Sequence, residues 1–199
     1  QARALSLGYV PNATARQLRG LGQPIIGLTV ADLQDPFFGP AVAEVIAQSH
    51  RAGFALTLAG FEHREPRLED MQLLLQHDLK ALLVLGSGPL DWVDPFLDRG
   101  VRVISIGGGP ARRGVIRVAV DEAWGMRLVT GHLLELGHRN LAFIGARLDA
   151  HEQRLQHLRD LLRQHHLKLE PRRVVLAGSD VLEAGERGAD QLIDKGAGD

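Results

Sequence analysis

Short runs rich in Ile, Val and Leu alternate along this chain with longer stretches of helical spacing, and that alternation restricts the fold to one class. Strands that are apolar almost throughout must be covered on both faces, and parallel neighbours need a crossover, ordinarily a helix. The expected strands are residues 25–30, 55–59, 81–85, 101–106, 141–145 and 174–177. Between and after them the spacing predicts helices over 37–52, 66–77, 91–99, 122–136, 151–166 and 182–195. Gly53, Gly100 and Gly137 stand where C-cap glycines belong, and Pro66 falls in a first turn, where no amide donor is lost. The expectation is an α/β protein with parallel sheet flanked by helices. No strand follows the last helix, so the second lobe is expected to be incomplete, its single late strand leaving an edge uncovered.

With 199 residues, 45% of them hydrophobic, the chain can bury one large core or two small ones. It has no cysteine, which removes disulfides and cysteine-ligated zinc. No run of eighteen apolar residues occurs, and the N-terminus lacks the pattern of a secretory signal, so a cytoplasmic protein without membrane contact is expected. The net charge of −1 gives no global case for nucleic acid, but residues 1–23 carry Arg3, Arg16 and Arg19 with no acid. From charge alone these arginines read as a solvated basic tail.

Residues 7–20, LGYVPNATARQLRG, hold a compact helix signal: Asn12 as N-cap, 13–19 as helix and Gly20 as C-cap. Two turns are marginal in water, because nucleation costs more than so few hydrogen bonds return. Such a helix needs a partner to become ordered.

That string resembles the hinge of the LacI/GalR repressor family. The resemblance continues through IIGLTVADLQDPFF at 25–38, VDEAWG at 120–125 and HLLELGHRNLAFIG at 132–145, in the family's order and approximate spacing. It implies a periplasmic-binding-protein-like type I fold of two lobes, with a headpiece end and hinge at 1–23, an N-terminal lobe at 24–147 and a partial C-terminal lobe at 148–199. It also implies a homodimeric repressor of operator DNA, modulated by a small-molecule effector such as a sugar or related metabolite, with no cofactor. The DNA contacts would come from Asn12, Ala15, Arg16, Leu18 and Arg19. Leu18 occupies the position of the family's minor-groove wedge, and Arg16 and Arg19 would neutralise phosphates. Without the resemblance, Leu18 reads as an apolar linker residue packed on its own domain. The family's helix-turn-helix would lie upstream of Gln1, so weak or absent DNA binding is expected of these residues alone.

In open α/β sheets ligands collect beyond the carboxyl ends of the strands. The loops concerned are 32–38, 60–65, 86–90, 107–114 and 121–125. The resemblance implies Asp35, Phe37, Phe38, Asp121 and Arg154 as effector-binding residues. Phe37 and Phe38 match an aromatic pair that can stack on a ring, although both also suit a helix start in the core. Asp35 replaces the usual asparagine and favours hydroxyls or amines. Asp121 matches the acid of the family's D-N-x-x-G string, but Glu122 replaces its asparagine, and Asp121 reads equally as an N-cap. Arg154 matches an effector-binding arginine, while on a polar helix it also reads as plain surface. Gly107 to Gly109, with Arg112 and Arg113, suit a backbone phosphate cradle or a flexible loop.

Nine histidines show no metal-ligand spacing, and His138, after the C-cap Gly137, reads as structural. No nucleophile elbow or Walker loop is present, so an enzyme is not expected. The alternative is a solute-binding protein of the same fold, which predicts a signal peptide and no hinge.

Overall fold

The computed structural model describes residues 22–33, 36–61, 66–86, 88–107, 109–178 and 181–194. The hinge expectations at 12–20, the DNA-contact residues among them, and Asp35 lie outside the described residues.

The elements in chain order are β1 (Ile25–Val30), α1 (Phe38–Arg51), β2 (Ala55–Gly60), α2 (Leu68–Leu75), β3 (Leu79–Leu85), a 3₁₀ turn (Asp91–Val93) continuing into α3 (Asp94–Leu97), β4 (Arg102–Ile106) and β5 (Val115–Val118). Then follow α4 (Glu122–Glu135), β6 (Phe143–Gly145), α5 (Asp149–Gln164), a second 3₁₀ turn (Pro171–Arg173), β7 (Val174–Leu176) and α6 (Val181–Asp194). The first five strands form one parallel sheet in the order β2-β1-β3-β4-β5, and β6 and β7 form a second.

Side-chain alternation along β3 shows why the first sheet needs two helical layers. Leu82 and Val84 join a core with Met71 and Leu74 of α2, Val93, Phe96 and Val103. Leu83 and Leu85 turn to the opposite face, against Leu28, Val30 and the α1 residues Phe38, Ala41, Val42 and Val45. From Ala81 to Leu85 every position of β3 is apolar, and this part of the strand is covered on both sides, as the sequence required.

The three glycine stops expected at Gly53, Gly100 and Gly137 are Schellman ends, Gly100 after α3 among them, with the Val101 N–H on the Phe96 carbonyl at 3.0 Å and the Gly100 N–H on the Leu97 carbonyl at 2.9 Å. After α1 the Phe54 N–H reaches the Ser49 carbonyl at 2.9 Å and the Gly53 N–H the His50 carbonyl at 3.1 Å, with Gly53 left-handed at φ 78°. After α4 the His138 N–H reaches the Leu133 carbonyl at 3.0 Å and the Gly137 N–H the Leu134 carbonyl at 3.1 Å, with Gly137 at φ 88°. His138 thus serves the turn through its backbone, as its position after Gly137 implied.

The structure departs from expectation at three places. Val115–Val118, unassigned in the sequence, is the edge strand of the first sheet. Helix α2 is shorter than expected and begins after Pro66. The division expected between residues 147 and 148 separates β6 from β7, its pairing strand. Leu141, Leu158 and Leu162 instead share a core with Met126, Leu133 and Leu134 of α4, so the chain changes sheets after Val118. Among the described residues no helix is long and apolar enough to cross a membrane.

Candidate functional site

The carboxyl ends of all five strands of the first sheet open into a cavity of about 580 Å³. Its near wall carries Ala31 after β1, Phe61 after β2, Gly86 after β3, Gly107 after β4, and Arg117 and Val120 around the end of β5. Its far wall is the start of α4, at Glu122, and the first turns of α5 with the segment before them, from Arg147 to Arg154. The cavity is therefore an inter-sheet cleft, and each of the five loops expected to converge there supplies a lining residue.

The near wall is aromatic. Phe37 and Phe38 meet edge to face with ring centroids 5.3 Å apart. Phe38 is anchored in the core, while Phe37, 67% exposed, lines the cleft beside it. A second pair that the sequence reading missed, Phe61 and Trp92, lines the cleft with centroids 5.9 Å apart. Apolar rings of this kind pack the hydrocarbon face of a ligand.

The far wall is polar. Arg154 lines the cleft, but its Nε and Nη2 donate to the two carboxylate oxygens of Glu122, each at 2.7 Å. This fork-to-fork pair holds the Glu122 carboxyl below its ordinary value, chiefly through the Arg154 hydrogen bond. The sequence marked Glu122 as a departure from the family pattern; docking of α4 on α5 makes it the partner of Arg154.

Asp121 is not among the lining residues. Its carboxylate accepts the Trp124 N–H at 2.8 Å and caps α4, so the N-cap reading holds and Glu122 takes the place in the cleft expected of Asp121. The loop from Gly107 to Gly109, with Arg112 and Arg113, offered a phosphate cradle or a flexible loop as alternatives, and the structure gives the cradle little support. Of the described residues in that loop only Gly107 lines the cleft, and Arg112 is bound to Asp91 and Asp94.

His151, also missed, lines the cleft while its Nδ1 accepts the buried Ala146 N–H at 2.7 Å. That bond leaves the ring proton on Nε2. Burial, then the charge of Arg154, pushes the His151 pKa below its ordinary value of 6.5. A histidine with a lowered folded pKa contributes stability above its unfolded pKa and loses it as pH falls through the folded value. His151→Phe, which strands the Ala146 N–H, should cost about 1–3 kcal/mol at pH 7.5. Urea unfolding of the variant should also change less between pH 6.5 and 5 than that of the parent. Parallel pH profiles would refute the role of His151.

The two parallel sheets and the cleft between them have the architecture of a periplasmic-binding-protein-like core. No family model matches the chain. It is 28% identical over 200 aligned residues to the HTH-type transcriptional regulator GalR of Salmonella typhimurium, covering 96% of this chain and 57% of that protein. Among solved structures, a complex of transcriptional regulator CelR with cellobiose superposes with a TM-score of 0.70 at 25% identity, over 96% of this chain and 59% of that one. The Lac repressor dimer bound to operator and the anti-inducer ONPF superposes with a TM-score of 0.79 at 20% identity, over 98% and 60%. The chain is similar along most of its length to transcriptional regulators of the LacI/GalR family. It spans about 57% of the length of the curated relatives that it matches along most of its own length.

Proposed function

We propose that this chain is the effector-sensing core of a homodimeric, cytoplasmic repressor, and that a small molecule in the inter-sheet cleft sets its affinity for operator DNA. The observation that carries the reading is the cleft itself, which is aromatic on the wall supplied by one sheet and polar on the wall supplied by the other. A ligand touching both walls favours one arrangement of the lobes, and a population shift between arrangements is how a bound molecule changes a distant site. Relatives named as regulators support binding and switching over catalysis and over solute transport.

In this reading Phe37, Phe38 and Arg154 contact the effector, with Glu122 holding Arg154, and Asp35 remains a candidate. Asn12, Ala15, Arg16, Leu18 and Arg19 contact DNA. The lobes are the segments up to Val118 and from Glu122 onward.

The test is selection of binding sequences from random duplex DNA by the intact protein, followed by mobility-shift titration. A two-fold-symmetric sequence should be enriched. Leu18→Gly should weaken binding to it at least about tenfold, since a lost wedge forfeits the bend that brings further contacts. Failure to enrich any sequence would overturn the reading.

A further inference from the structure

Among the described residues, the charged ones lining the cleft are Arg117, Glu122, Arg147, Asp149 and Arg154. Glu122 and Arg154 neutralise one another. That leaves the guanidinium groups of Arg117 and Arg147 against the carboxylate of Asp149, an excess of one positive charge among the described lining residues. Neither Arg117 nor Arg147 has a side-chain hydrogen bond or ion pair among the described residues. They also come from opposite walls: Arg117 from β5 at the edge of the first sheet, Arg147 from the segment that follows β6 in the second.

Two like charges facing one cavity from separate lobes repel as the lobes approach, and the apolar walls around them focus that field. Phe37, Phe61, Trp92, Leu90 and Leu148 supply those walls. An anion seated between the arginines reverses the sign of the interaction. The planar fork of arginine matches phosphate oxygens, and a dianionic phosphate balances two such forks. Arg154 has its charge balanced by Glu122 and keeps three N–H donors for other groups of the ligand.

We propose that the ligand of this cleft is a phosphorylated small molecule whose phosphate is held between Arg117 and Arg147, so that lobe closure depends on the anion. The proposal rests on the effector-cleft reading for the location and adds the chemical class. The aromatic wall would then face the rest of the ligand, and Asp149 its hydroxyls.

Inorganic phosphate serves as the probe, with the intact protein followed by thermal unfolding at constant ionic strength. Saturating phosphate should raise the midpoint by about 4 °C over chloride, because a ligand bound only to the folded state stabilises it. R117Q and R147Q should each weaken the half-saturating phosphate concentration at least about tenfold. R102Q, which removes an exposed arginine outside the cleft, should not. No rise over chloride, an equal rise with acetate, or a rise retained in both R117Q and R147Q would overturn the proposal. DNA selection is a separate readout: failure there with phosphate binding intact would sink the regulator reading alone, and the converse would sink the phosphate site alone.

Discussion

Phe96→Ala is expected to lower stability by about 3–5 kcal/mol, the range for emptying a buried aromatic site. Phe96 is 1% exposed and lies among Leu82, Val93 and Val103 beneath the first sheet. Total stability of a folded domain is on the order of 5–15 kcal/mol, so this one change removes a large share of it. The effect should reach the cleft as well. Phe96 meets Trp92 edge to face at 6.4 Å, and Trp92 meets Phe61 in the same manner at 5.9 Å. Trp92 and Phe61 line the cleft, so the buried ring props the aromatic wall from behind. Thermal unfolding should show a midpoint roughly 10 °C lower in the variant, while Phe96→Leu, which conserves more volume, should lose less than half as much. A loss below about 1 kcal/mol for the alanine variant would mean that the ladder of rings is not packed as described.

The second large effect is expected at Gly107, on the floor of the cleft. Its backbone has φ 132°, and a Cβ there would stand 2.6 Å from the Gly86 carbonyl oxygen, a backbone atom without a rotamer to escape through. Both neighbours are tied down: the Gly107 N–H donates to Val118 at 2.9 Å and the Gly86 N–H to Ile106 at 3.1 Å. Conformational strain and overpacking together put the cost of Gly107→Ala at about 2–4 kcal/mol. The relief of that contact must move the ends of β3 and β4 apart, so ligand affinity should fall with stability. Gly39→Ala is the control. Its Cβ would meet nothing within 4 Å, and it lies in the first turn of α1, so urea midpoints should be unchanged or slightly higher. Equal behaviour of the two variants would contradict the close approach at Gly107.

Much of this fold is legible in the amino-acid sequence. Strand β1 runs over the residues expected of it, and the stops at Gly53 and Gly137 fall where expected, because each depends on neighbours within a few positions. Strand β5 could not be read in the same way. It is four residues long, its apolar run is broken by Arg117, and it is half-buried at Val115 and exposed from Ile116 to Val118. Its existence depends on the free edge of β4, with which it pairs from Val103 to Ile106. Missing β5 also hid Arg117, because a residue in an unassigned loop has no wall to belong to.

The chain's own pattern of apolar runs, caps and turns determined that it would build parallel sheet under helices, and its motifs carry the resemblance to LacI/GalR regulators. Only the tertiary structure decided which side chains share the cleft. Glu122 and Arg154 are 32 positions apart and meet because α4 packs on α5. Arg117 and Arg147 face one space because the chain leaves the first sheet after Val118 and begins a second one at Phe143. Local structure follows from interactions a few residues long, whereas a site assembled from two sheets follows from where the chain crosses between them.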